Sequence, residues 1–165
     1  IVPAFKFDDN SYYYPDTNNG GSWKTMNPRL ELEYFNARNK MHNLTMKKLC
    51  RMLRCWKETY SIDISGELLD SIVYNFYLEA NHIDQNPFLY FDFITRDFFE
   101  YLYNNAHGTW FTPGTYRVLN LKYPYLTQDK ALEMYNKSIK AIQLYNDEYK
   151  YSAKGKWKEI YGEKF

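Results

Sequence analysis

Between residues 45 and 58 the chain places five cations, Lys47, Lys48, Arg51, Arg54 and Lys57, against one acid, Glu58. Read as a helix at about 100° per residue, Lys47, Arg51 and Arg54 share one face, while Leu49, Met52, Leu53, Trp56 and Tyr60 share the other. Such a helix is anchored on one side and cationic on the other. After a short connection a second helix is expected to begin at Ser65, whose hydroxyl suits an N-cap and whose neighbouring free backbone N–H groups attract anions. Arg51, Arg54 and Ser65 are therefore candidates to hold one phosphate-bearing ligand. The same stripe is also the pattern of an ordinary solvated helix face, and spacing alone is compatible with both.

Other constellations point to less. His42, His82 and His107 are scattered, and neither Cys50 nor Cys55 has a ligand-type partner near it, so no metal site is expected within the chain. The two cysteines lie about 140° apart around one helix, so their side chains diverge and cannot bridge. Gly20, Gly21 and Ser22 lack the strand, loop and helix frame and the Lys-Ser or Lys-Thr pair of a phosphate loop. Glu31 and Glu33 diverge on their helix, and no Asp-x-Asp pair occurs.

The elements that must position the cations are mostly helical. Residues 1–25 form two short extended runs, IVPAFKF and NSYYYPDT, around the polar turn Asp8-Asp9-Asn10, which predicts a β-hairpin or two edge strands followed by a loop over NNGGSWK. Pro3 and Pro15 confine those strands to an edge or to their ends. From Asn27, an N-cap followed by a proline at the first helical position, helices are expected over Pro28 to about Met41 and, capped by Thr45, along the basic stretch. Further helices run from Ser65 to about Ala80, from Phe91 to about Asn105 and from Thr127 to about Tyr151. NHIDQNP breaks the chain after Ala80, Gly108 and TPGTY mark a long loop, and GKWKEIYG forms a last short helix ending at Gly162. The expected fold is mainly α: a helical bundle lobe, 26–165, preceded by a short β-hairpin segment, 1–25.

A chain of 165 residues with 45% apolar content can bury a real core. Its 18 Tyr and 11 Phe are spread along the whole length and read as core and core-edge residues. A net charge of +1 argues against a broad nucleic-acid surface, which needs many phosphate contacts. Free thiols and the lack of a signal-peptide or membrane-spanning pattern predict a cytoplasmic protein. The chain starts at Ile1, inside a strand-like run, which suggests a piece of a longer polypeptide.

Taken in order, IVPAF, YYYPDT, GGSWK, TMNPR, RMLRCWK, SGELLDSIVYNF, RDFFEYL and WKEIYG resemble the C-terminal half of a bacterial cGAS/DncV-like nucleotidyltransferase, of the polymerase-β-like superfamily. The likeness extends over nearly the whole chain. It implies a two-lobed enzyme with its active site in the cleft between lobes. The Gly-Ser turn, Asp-x-Asp pair and third carboxylate of the family would lie upstream of Ile1, the carboxylates holding Mg²⁺ or Mn²⁺, leaving 1–25 as the end of the catalytic lobe and 26–165 as the lobe over the nucleotide. By the resemblance, Arg54, with Arg51 as the competing choice, contacts the donor triphosphate, and Ser65 contacts the phosphates. Gly66 stands where several members have a base-stacking aromatic residue, so no stacking residue is carried over.

The implied reaction transfers a nucleotidyl group from an NTP to the hydroxyl of a second nucleotide, giving a cyclic or short linear oligonucleotide signal in antiphage defence. The implied partners are NTP substrates, the missing N-terminal catalytic lobe and accessory proteins of the defence system, with no membrane. This chain alone would be inactive. Two readings of other classes remain: a non-catalytic RNA-binding module, favoured by the aromatic content and the basic helix but opposed by the small net charge, and a protein-interaction module, favoured by an apolar patch without a basic cleft.

Overall fold

The computed structural model describes residues 3–17, 20–79 and 91–163. It is mainly helical, with a short antiparallel sheet ahead of the helices, as the sequence predicts. The sheet has the order β1 (Phe5–Lys6), β2 (Tyr12–Asp16), β3 (Ser22–Met26). The first turn forms at Asp8-Asp9-Asn10 as expected, with Asn10 at φ 63° and the Asp9 carboxylate accepting the Ser11 N–H at 2.9 Å. Pro15 lies in the middle strand, but β1 pairs with β2 only through Tyr12 and Tyr13. Continuing that register would set Pro3 opposite Pro15, where neither residue offers an N–H, so the ladder stops there.

The loop expected over NNGGSWK is corrected in its second half, which belongs to β3. Two cross-strand contacts hold this strand: the Trp23 ring stacks on Tyr13 at 4.9 Å, and Lys24 pairs with Asp16.

Helix α1 (Pro28–Met41) has the predicted bounds, and the Asn27 side chain accepts the Leu30 N–H at 3.1 Å. Helix α2 (Thr45–Thr59) corrects the expected cap. Thr45 is its first helical residue, and the preceding Asn43 and Leu44 take left-handed φ of 51° and 63°. Thr45 is needed elsewhere, donating to the His42 carbonyl at 2.7 Å and accepting from the Tyr77 hydroxyl at 2.9 Å. An orphan N–H of α2, that of Lys47, is instead satisfied at 3.1 Å by the side chain of buried Asn39 on α1. Helix α3 (Gly66–Glu79) follows Ser65, whose Oγ accepts the Leu68 N–H at 3.1 Å, as an N-cap does. Its expected last residue Ala80, the break at NHIDQNP and His82 lie outside the described residues.

Helix α4 (Phe91–Asn105) matches expectation. The long loop after it contains a hairpin not read from the sequence, β4 (Trp110–Phe111) with β5 (Val118–Leu119). Helix α5 (Pro124–Asn146) begins one turn before Thr127, because Pro124 takes the first helical position; Thr127 is buried and bonds back to the Tyr123 carbonyl at 3.0 Å. The helix expected to reach Tyr151 ends at Asn146. Glu148 at φ 67° turns the chain, and α6 (Lys150–Tyr161) includes Gly155, expected only as a start, and closes at Gly162.

Leu49, Leu53 and Trp56 of α2, Leu69, Ile72 and Phe76 of α3, and Phe98, Phe99 and Leu102 of α4 form the core. Trp56 is fully buried with its ring edge-on to Phe99 at 5.2 Å. Ala131, Ser138 and Ala141 are buried on α5, where small side chains allow close packing against α4 and α6. The buried Tyr161 hydroxyl meets Thr95 at 2.8 Å and ties α6 to α4. Among the described residues no helix is long and apolar enough to cross a membrane.

Candidate functional site: a charged cleft between α1, α2 and α3

The burial of Leu49, Leu53 and Trp56 turns the opposite face of α2 outward. There Lys47, Arg51 and Arg54 line a cleft of about 480 Å³. Its other walls are Glu31, Leu32 and Phe35 of α1, Glu67, Asp70 and Ser71 of α3, and Pro113 of the hairpin loop. Arg51 and Arg54 are thus brought together as their spacing predicts. Ser65 is not: it is exposed outside the lining, its hydroxyl serving as the α3 cap.

The two arginines differ in their commitments. Arg54 Nη2 donates to both carboxylate oxygens of Asp70, each at 2.7 Å, and the two side chains remain 42% and 37% exposed. Lys47 and Arg51 are exposed, and no side chain among the described residues pairs with theirs. Burial pushes the Cys50 thiol, also in the lining, well above its ordinary range, and the charge of neighbouring Asp70 adds to the rise.

The acids of the cleft were not legible as site residues. Glu31 and Glu33 diverge as expected, Glu33 pairing with Arg29 at 3.2 Å on the outer face of α1. Glu31 meets Arg117 at 3.2 Å and accepts the Thr115 hydroxyl at 2.7 Å, both from the unpredicted hairpin. Arg117 also bonds Glu67. Burial works against the Arg117 charge, but Glu67 and Glu31 more than offset it and hold the guanidinium above its usual range. The only sequence signal for these partners was the turn chemistry of TPGTY, which predicts a bend without saying what it touches.

The carboxylates of this cleft do not fit a divalent-metal site. Asp70 is engaged by Arg54, Glu31 and Glu67 by Arg117, and among the described residues no three His, Cys, Asp or Glu side chains gather around a common point. The described histidines also stand apart: His42 is buried edge-on to Tyr77, and His107 bonds Gln128 at 3.1 Å.

No family model matches the chain. The chain is similar to a "probable cyclic nucleotide synthase" of Bacillus cereus (strain VD146). The two are 26% identical over 178 aligned residues, which take in 100% of this chain and 50% of that protein. The chain therefore spans about half the length of the curated relative it matches. Similarity to a probable cyclic nucleotide synthase supports the resemblance at that coarse level and does not reach the finer assignment to the C-terminal half of a cGAS/DncV-like nucleotidyltransferase.

Proposed function

We propose that this chain is the nucleotide-holding C-terminal part of a cGAS/DncV-like nucleotidyltransferase that makes cyclic or short linear oligonucleotide signals from NTPs in antiphage defence. In this reading residues 1–25 complete the sheet of a catalytic lobe and 26–165 form the helical lobe. The observation that carries it is the convergence of Lys47, Arg51 and Arg54 on one cleft, in a chain whose whole length aligns with a probable cyclic nucleotide synthase.

Lys47 and Arg51, exposed at the cleft, neutralise the donor triphosphate, and Arg54 offers the nitrogens that Asp70 leaves open. This is electrostatic positioning and needs no proton transfer. Ser65 contributes through the N-terminus of α3, which its hydroxyl caps, and not from the cleft lining. Mg²⁺ or Mn²⁺ belongs with carboxylates of the missing lobe, and the work of this chain does not run through it. Cytoplasmic NTPs are the substrates and defence accessory proteins the partners.

Titration of the isotopically labelled 165-residue chain with ATP tests the reading. Amide and side-chain shifts should gather at residues 47–54 and 67–71, with a dissociation constant no tighter than about millimolar, because a few charge-assisted contacts remain. The chain alone, supplied with the four NTPs and Mg²⁺ or Mn²⁺, should form no oligonucleotide. ATP shifts absent from the cleft, with a short RNA shifting the same residues, would favour the RNA-binding reading instead.

A further inference from the structure

The lining of the cleft is balanced in charge: Lys47, Arg51 and Arg54 stand against Glu31, Glu67 and Asp70. Three cations facing three carboxylates leave no excess for an anionic ligand. The excess comes from a residue behind the lining. Arg117 Nη2 donates to Glu31 at 3.2 Å and also to Glu67, and the Arg117 side chain is only 18% exposed. Counting Arg117 makes four cations to three carboxylates.

The hairpin is built to deliver this guanidinium. Thr112 and Arg117 exchange bonds across the loop, Thr112 N–H to the Arg117 carbonyl at 3.0 Å and Arg117 N–H to Thr112 Oγ1 at 2.9 Å. Gly114, at φ 70°, lies flat on α1; a Cβ there would come within 2.6 Å of the Tyr34 ring. Only glycine meets both demands. The turn is thereby pressed against α1, with Thr115 holding the Glu31 carboxylate that Arg117 neutralises.

We infer that Arg117 is a positioning residue that quenches Glu31 and Glu67, so that an entering polyphosphate meets the cations of α2 without opposing carboxylate charge. The inference rests on the nucleotide reading of the cleft. Glu31, at 13% exposure, matters more than Glu67, at 44%, because a buried carboxylate without its cation is poorly screened.

The test is calorimetric or NMR titration of the 165-residue chain with tripolyphosphate. Arg117→Gln should weaken binding about tenfold, Arg117→Lys much less, and adding Glu31→Gln and Glu67→Gln to Arg117→Gln should restore it to within about threefold. A brace that only held α1 against α3 would not be rescued by removing charge, so a triple variant as weak as Arg117→Gln overturns the inference. Glu31→Gln with Glu67→Gln in the otherwise native chain should tighten binding about threefold or more, a readout independent of whether Arg117→Gln folds. Binding unchanged in that double variant also overturns it. Absence of tripolyphosphate binding to the parent chain overturns the nucleotide reading and this inference together, whereas good parent binding unaffected by Arg117→Gln overturns only the inference.

Discussion

Replacing Arg54 separates a phosphate contact from a surface brace, because its present partner is an acid of the same cleft. The Arg54–Asp70 pair joins α2 to α3 with both side chains more than a third exposed, so solvent screening limits its contribution to stability to about 0.5–1 kcal/mol. Arg54→Ala should therefore lower stability by about that much, and the core survives because no buried apolar surface is removed. If Arg54 also holds a phosphate, the same change removes a charge-assisted hydrogen bond of about 1.5–3 kcal/mol, or roughly ten- to a hundred-fold in triphosphate affinity. Asp70→Asn provides the opposite perturbation. It removes a competing negative charge while keeping an acceptor for Arg54, so binding should tighten by about threefold or more at low salt. Titration with ATP, alongside urea unfolding of each variant, reads both quantities. The reasoning fails if Arg54→Ala binds ATP like the parent, or if Asp70→Asn weakens binding as much as Arg54→Ala, since that pattern belongs to a structural tie.

Two further outcomes follow from burial and from the sheet. Cys50 keeps its proton in the folded chain far above the ordinary thiol range, because burial disfavours the thiolate, whereas the unfolded chain ionises it near the ordinary value of 9.0. The folded state thus binds more protons at alkaline pH, so the contribution of Cys50 is fully present below about pH 9 and declines as pH rises beyond it. Cys50→Ala should flatten the loss of unfolding free energy between pH 8 and 10.5; an unchanged slope would mean that Cys50 titrates normally. Among the described residues of the sheet region, 3–26, only Ser11 is buried, and Phe5 and Trp23 remain 64% and 50% exposed, so amide hydrogens of these strands should exchange far faster than those of α3. Equal protection of Tyr13 and Ile72 in a monomeric sample would refute that ordering.

Much of this protein is determined locally. Asn27-Pro28 set the start of α1 because a side-chain cap and a proline act within one turn, and the cap at Ser65 is legible for a similar reason. The alternation of cations and apolar residues along α2 fixed which face would be buried, and so carried Arg51 and Arg54 to one surface. What the sequence could not supply were the choices made between distant segments. Thr45 looks like a cap, yet its hydroxyl is claimed by Tyr77, 32 residues on, and the helix end is served by Asn39 instead. SWKTM has few strand signals of its own and becomes a strand because Tyr13 and Asp16 lie opposite it. The residues 147–149 separate two helices because α6 must fold back onto α5, a demand made by packing and not by any helix breaker in the run. Above all, the charge of the cleft was decided in three dimensions. Asp70 reaches Arg54 across 16 residues and Arg117 reaches Glu31 across 86, and ion pairs of that separation leave no periodic trace in the chain because they depend on how helices pack.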